Sequence, residues 1–273
     1  MPTRVGVPFV KGHGTENDFI LLPDPDGTLQ VSPGQVRAIC DRHAGLGADG
    51  VIRVAPAAGD GASFLMDYRN ADGSTAQMCG NGARVFARYL VDEGWAPPGR
   101  LVFATRGGTR TADVPPDGDV TIAMGPARLG RRSSAILDGR EISGVAVDVG
   151  NPHLACLTDI ELSSLDLTSR PGFDPAVFPE GVNIEFITVL GADRIAMRVH
   201  ERGVGETRSC GTGTVAAAAA YLASTGRSAG SVTVGVPGGS VCVTISGGDS
   251  TLAGPAVLVA AGAIDREFWD RHR

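Results

Sequence analysis

The chain predicts an α+β fold: two similar strand-rich halves from an internal duplication, each wrapped around a central helix, with the functional site in the cleft between them. Three observations point there. Met78-Cys79-Gly80-Asn81-Gly82 and Ser209-Cys210-Gly211-Thr212-Gly213 read almost alike and lie 131 positions apart in a chain of 273 residues. Short β-branched runs recur between Gly- and Pro-containing turns, as in a strand-rich protein. Helical patterns are few, and the strands do not alternate regularly with helices, which argues against a doubly wound parallel sheet.

Taken in order, the runs at 51–54, 101–104, 120–123, 184–187 and 241–245 read as strands. Helices are expected at 33–44, 82–93 and 213–223, the last two directly behind the paired cysteines. The offset of 131 extends outward from those cysteines. Met66 falls on Met197, Gly50-Val51 on Gly181-Val182, Gly99 on Gly230, and Gly107-Gly108 on Gly238-Gly239. The Gly-Gly pairs read as hairpin turns, joining 101–105 to 109–114 and 232–236 to 240–245. Slightly further on, Gly125-Pro126-Ala127 resembles Gly254-Pro255-Ala256. A repeat of this kind predicts two halves, 1–126 and 127–255. The polar, glycine-containing stretch 128–139 reads as a linker. The segment 256–273, with a strand at 257–261, is expected to return to the first half.

Net charge is −6 and the basic residues are scattered, with only Arg131-Arg132 adjacent, so no basic stripe favours nucleic acid. The longest apolar run, 215–223, is far below the ~18 residues that a membrane span needs. No N-terminal segment has the order of a signal peptide, so a cytoplasmic location is expected. Five widely spaced cysteines argue against a disulfide framework. No Cys/His ligand cluster appears; His13 and His43 lack a third ligand, so no metal is expected. Cys40, Cys156 and Cys242 match no chemical motif and are expected to pack in the core.

Cys79 and Cys210 are different. A free thiol titrates near ~8.5, and a helix N-terminus lowers that value through its dipole and free N–H groups. Glycines at the first and third positions after each cysteine leave room for a substrate to approach the backbone. The same N–H groups can hold a carboxylate or a developing enolate oxygen. Two such termini bracketing an α-carbon suit a two-base inversion: one thiolate removes the proton, the other thiol returns one to the opposite face. Small buried cysteines, a structural disulfide and a redox pair remain the alternatives at this point.

Several further segments carry a resemblance. His13-Gly14-Thr15-Glu16-Asn17-Asp18-Phe19, the loop 42–50, Asn70-Ala71-Asp72-Gly73-Ser74, the cysteine motifs at 78–84 and 208–214, Gly150-Asn151-Pro152-His153, Val182-Asn183 and Glu201-Arg202-Gly203 resemble, in this order, the motifs of the diaminopimelate epimerase family. The resemblance implies a diaminopimelate epimerase-like fold and a pyridoxal-phosphate-independent enzyme without a cofactor. Its substrate would be a small-molecule amino acid with two amino-acid ends, LL- or meso-2,6-diaminoheptanedioate, in lysine and peptidoglycan precursor synthesis. It implies a homodimer. It assigns Cys79 and Cys210 as acid and base, with His153 and Glu201 tuning the thiols or binding the reacting ammonium group. Asn17, Asn70, Asn151, Asn183, Glu201 and Arg202 would hold carboxylates and amines, and Gly80-Asn81 and Gly211-Thr212 would present helix-terminal N–H groups. Gly50 departs from the family, many members of which carry Gln there, so one substrate contact is expected to be lost. Proline racemase or hydroxyproline epimerase is the nearest alternative, but carries His where this chain has Asn81. A non-catalytic amino-acid binding protein is the alternative outside enzymes.

Overall fold

The computed structural model describes residues 6–59 and 61–273. The chain divides into two compact units. The first runs to Ile122 and takes in Pro255–Arg273; the second is Ala123–Gly254.

In the first unit β1 (Gly6–Gly14) folds back on β2 (Asn17–Pro23). The turn between them places Thr15 and Glu16 at positive φ, matching the twist of the flanking strands. A crossover carrying α1 (Pro33–Cys40) leads to β3 (Gly50–Pro56), parallel to β2. Ser32 and Gln35 close a capping box at the start of α1, and Pro33 opens its first turn. The helix ends at Cys40, four residues short of the expected 44. Asp41 accepts hydrogen bonds from the amides of His43 and Ala44, and this local turn competes with a further helical turn. β4 (Phe64–Asn70) is antiparallel to β3. Then come the central helix α2 (Gly80–Asp92), β5 (Gly99–Thr105) parallel to β4, β6 (Gly108–Val114) and β7 (Val120–Pro126), within which the first unit gives way to the second.

The second unit holds β8 (Arg128–Leu137), β9 (Arg140–Asp148), β10 (Pro152–Leu157), the short β11 (Gly172–Phe173), β12 (Asn183–Gly191), β13 (Arg194–Glu201) and β14 (Gly205–Thr207). Its central helix α3 (Gly211–Ser224) leads to β15 (Gly230–Val236), β16 (Gly239–Ser246) and β17 (Asp249–Gly254). The stretch 128–139 expected as a linker is instead β8 and a hairpin turn. Asp138 and Gly139 both take positive φ, the two-residue Asp-Gly turn that joins antiparallel strands, and Ala135 and Leu137 face the core. The apolar Ile136, exposed between them, hides that alternation. The chain ends with β18 (Val257–Asp265), antiparallel to β1, and the short α4 (Arg266–Arg271).

Both units follow one pattern of pairing. Across the first, β18-β1-β2-β3-β4-β5-β6-β7 pair antiparallel, antiparallel, parallel, antiparallel, parallel, antiparallel, antiparallel. Across the second, β8-β9-β10-β12-β13-β15-β16-β17 repeat that order. Register then corrects one match made from sequence. Val51 lies opposite Arg69 and Ile184 opposite His200, so Val51 corresponds to Ile184 rather than to Val182. The hairpin from Ile184 to His200 is two residues shorter than that from Val51 to Arg69, which displaces everything before it. By the same register Phe19 corresponds to His153, Ile52 to Glu185 and Asn70 to Glu201.

The central helices are buried on all sides over most of their length. α3 manages this with Ala216–Ala220, whose small side chains let β9, β10, β12, β15 and β16 approach. In α2, Arg84 and Arg88 lie inside, and backbone carbonyls of Pro255, Pro115, Pro116 and Gly118 accept from their guanidinium groups.

Candidate active site

Each paired cysteine is the N-cap of its central helix. Cys79 and Cys210 have extended backbones, and their sulfurs accept from the amides of Gly82 (3.5 Å) and Gly213 (3.4 Å). Sulfur here takes the place of the oxygen that usually satisfies a helix's free first-turn amides. Gly80 and Gly211 open the helices and are themselves buried.

The glycines three residues after the cysteines serve packing rather than ligand approach. A Cβ on Gly82 would lie 3.0 Å from Met66 Cε, 3.1 Å from Ile52 Cδ1 and 3.4 Å from Phe19 Cζ. A Cβ on Gly213 would lie 2.8 Å from Glu185 Oε1. The helix ends rest directly on the sheet, and only hydrogen fits between.

In the first unit Asn17, at the head of β2, gathers the site. Its Nδ2 donates to Asp49 Oδ2 at 2.7 Å, and Arg42 in turn clamps Asp49 and Asp18. That fixes the amide so that Oδ1 turns to the helix terminus, where it accepts from Asn81 Nδ2 at 3.1 Å and from Cys79 Sγ at 3.7 Å. Asn70 ends β4, with its amide donating to Ser74.

In the second unit Asn151, just before β10, stands where Asn17 stands, but its amide is turned the other way. Its Oδ1 lies 3.0 Å from His153 Nε2, and its Nδ2 donates to Thr212 Oγ1 at 3.4 Å. Thr212 Oγ1 lies 3.6 Å from Cys210 Sγ. His153 and Glu185 are completely buried, with Nδ1 and Oε1 2.6 Å apart. Burial raises the Glu185 carboxyl above its usual range, against the opposing pull of His153. Burial also pushes the Cys210 thiol well above its ordinary value. The carboxylates of Glu201 and Glu185 add to that shift, while the Thr212 hydroxyl and the Gly213 amide oppose it.

Glu201 ends β13 and accepts from the Thr207 hydroxyl. Asn183 is bonded to the chain at both ends of its amide, Nδ2 to Pro152 O and Oδ1 from the Arg202 amide, so it braces the Arg202 turn against β10. The Arg202 guanidinium donates to Glu180 O. At Gly50 a Cβ would lie 2.5 Å from Arg69 O and 2.6 Å from the Tyr68 ring, so no side chain has room there. Of the other cysteines, Cys40 and Cys156 are core residues whose thiols burial pushes up to about 12, whereas Cys242 is only half-buried on β16.

Sequence reasoning missed two residues of this arrangement, Asp49 and Glu185. Asp49 lay in a loop read only for its glycines. Glu185 had a usable signal: an acidic residue in the middle of an otherwise apolar strand must find a buried partner.

This duplicated α+β fold is shared with a solved hydroxyproline epimerase from Agrobacterium vitis. The match has a TM-score of 0.68 and covers 97% of this chain and 94% of that one; at 15% identity it shows the fold alone. Diaminopimelate epimerase of Rhodococcus opacus (strain B4) is 52% identical over 284 residues, covering 96% of this chain and 98% of its own. The diaminopimelate epimerase of Mycobacterium ulcerans (strain Agy99) is 53% identical over 287 residues, covering 97% and 99%. The sequence model of diaminopimelate epimerase matches residues 9–130 and 145–262, and the chain belongs to that family. Among the described residues, no helix is long and apolar enough to cross a membrane.

Proposed function

We propose that the chain interconverts LL- and meso-2,6-diaminoheptanedioate, with Cys79 and Cys210 acting on opposite faces of one α-carbon and no cofactor taking part. The observation that carries this reading is the opposite polarity of the hydrogen bonds around two sulfurs that cap corresponding helices. Asp49 binds the nitrogen of Asn17, so the Cys79 thiol has an acceptor in Asn17 Oδ1. Asn151 donates to Thr212, so the hydroxyl proton of Thr212 is available to Cys210 alongside the Gly213 amide, which favours the thiolate.

In one direction, then, the Cys210 thiolate takes the α-proton. The C–H electron pair moves into the carboxylate as an enediolate, and the Cys79 S–H delivers its proton to the other face. The enzyme is left as Cys79 thiolate and Cys210 thiol, ready for the reverse direction. Burial and the nearby Glu201 carboxylate hold Cys210 as a thiol when no ligand is present. A substrate ammonium group beside Glu201 offsets that charge, so binding itself releases the base. Asn17, Asn70, Asn81, Asn151, Asn183 and Arg202, with the helix-terminal amides at Gly80, Gly211 and Thr212, suit the remaining carboxylates and amines of a doubly zwitterionic substrate, and His153 supports the Cys210 side. A cytoplasmic homodimer belongs to the same proposal, after the family; sedimentation equilibrium at the mass of one chain would remove the dimer.

Exchange of the α-proton in heavy water tests the reaction. The protein should incorporate deuterium into diaminopimelate and not into proline. Cys79→Ala and Cys210→Ala should each lower epimerisation by about 10²–10⁴-fold, the scale of general acid–base catalysis. A wild-type protein that exchanges nothing overturns the reading.

A further inference from the structure

We propose that Glu185 is a positioning residue for Cys210: with His153 it forms a buried, net-neutral pair that fixes the Asn151 amide and thereby turns the Thr212 hydroxyl onto the sulfur. This rests on the epimerase reading above and adds a residue to it. Five side chains form one continuous chain, Glu185 to His153 at 2.6 Å, His153 to Asn151 at 3.0 Å, Asn151 to Thr212 at 3.4 Å and Thr212 to Cys210 at 3.6 Å. Both ring nitrogens of His153 face oxygen. Two arrangements satisfy this: an imidazolium beside a carboxylate, or a neutral imidazole protonated on Nε2 beside a carboxylic acid. They differ only in which side of the 2.6 Å contact holds one proton, and the pair is neutral in both. In both, Nε2–H donates to Asn151 Oδ1, so the Asn151 amide nitrogen faces Thr212 and the Thr212 proton is left for Cys210. If the pair loses a proton, Nε2 becomes an acceptor, Asn151 turns over and draws the Thr212 proton to its own oxygen.

The remainder of Glu185 points the same way. Its Oε2 is buried and has no hydrogen-bond partner among the described residues, so besides the backbone amide of Glu185 itself the ring is what holds the carboxyl. The first unit shows that the fold does not require such a pair. There the corresponding residues are Phe19 and Ile52, and an apolar floor seats the same helix terminus, while Asn17 is fixed by Asp49 instead. Two groups that must be desolvated, set where hydrocarbon suffices, call for a role beyond packing. The ionisable groups that bear on Cys210 are Glu201 from β13 and Glu185 from β12, with His153 from β10 behind the latter.

The test uses Glu185→Gln and Glu185→Leu in the full chain. It reads epimerisation, thermal unfolding and the pH at which iodoacetamide half-labels each cysteine, followed by mass spectrometry. A Gln amide N–H can donate to His153 Nδ1 as a carboxylic acid does, so Glu185→Gln should keep kcat within about threefold and both labelling midpoints in place. Glu185→Leu should lower kcat by about 10²-fold, the cost of a misplaced group, and raise the Cys210 midpoint by about one pH unit while leaving Cys79 unmoved. If the Leu variant fails to fold, the double variant Glu185→Ile with His153→Phe, which copies the floor of the first unit, takes its place with the same expected outcome. A role as a bare negative charge predicts the opposite sign: both Gln and Leu would lower the Cys210 midpoint, and that overturns the proposal. So does a Leu or double variant with unchanged midpoints or near-normal turnover. The labelling midpoints judge Glu185 whether or not the substrate is right, whereas a wild-type protein without α-proton exchange sinks the epimerase reading alone.

Discussion

Gly82 and Gly213 occupy the same helical position in the two units, yet a methyl group at each meets different chemistry. At Gly82 the nearest atom is the terminal methyl of Met66, at 3.0 Å, the end of a side chain with three rotatable bonds. At Gly213 it is the carboxyl oxygen of Glu185 at 2.8 Å, held by a second buried group that has nowhere to go. Gly213→Ala is therefore expected to cost about 1–3 kcal/mol of stability as an overpacked core site, and Gly82→Ala clearly less. Urea midpoints of the two variants, measured side by side, check this; equal losses would show that the floor under Cys210 is as yielding as that under Cys79. Activity should follow the same order, because the group displaced by the Gly213 methyl belongs to the chain that orients Thr212.

At the scale of elements, the two N-caps separate stability from chemistry. A sulfur accepts weakly at 3.4–3.5 Å, and a serine oxygen is among the preferred caps. Cys79→Ser and Cys210→Ser should thus keep or raise stability, by up to about 1 kcal/mol, while losing epimerisation, since a serine hydroxyl is far less acidic than a thiol. Thermal unfolding together with a turnover assay reads both; a variant that loses activity and stability in parallel would mean that the cysteines matter to the helix rather than to the proton. These helix starts were legible in the sequence because Cys-Gly-x-Gly before an alanine-rich run is a local signal. Of the pairing order only the two Gly-Gly hairpins were legible, since parallel neighbours such as β4 and β5 are brought together by the whole unit. β8 was illegible for a plain reason: Ile136 is exposed between Ala135 and Leu137, so no apolar–polar alternation shows, and burial of those two depends on residues as far along the chain as Ile184 and Phe186. Glu185 was visible as an anomaly, but its partner His153 is 32 residues away and only register brings them together.

At the scale of the molecule, each unit closes its core around an ionisable thiol that takes no part in the proposed chemistry. Cys40 lies in the first unit and Cys156 in the second. Burial raises both from an ordinary value of about 9 to about 12, with the Asp18 and Asp49 carboxylates adding to the shift at Cys40 and Glu185 at Cys156. The sign of the consequence follows from proton binding. Between those two values the unfolded chain has released each thiol proton and the folded chain still holds it, so folding takes up protons and weakens as pH rises. The contribution is fully present below pH 9 and is lost between about 9 and about 12. Each thiol gives a slope of about 1.4 kcal/mol per pH unit, and the pair about twice that. Urea unfolding at intervals from pH 8 to 11 should therefore show a steep alkaline decline in the wild type that is shallower in Cys40→Ala/Cys156→Ala, even though the double variant is less stable at pH 8 from the volume it loses. Parallel curves would assign the decline to other groups. Because the two thiols belong to different units, single variants should flatten the decline of their own unit, and two resolved transitions above pH 9 would show the units unfolding separately.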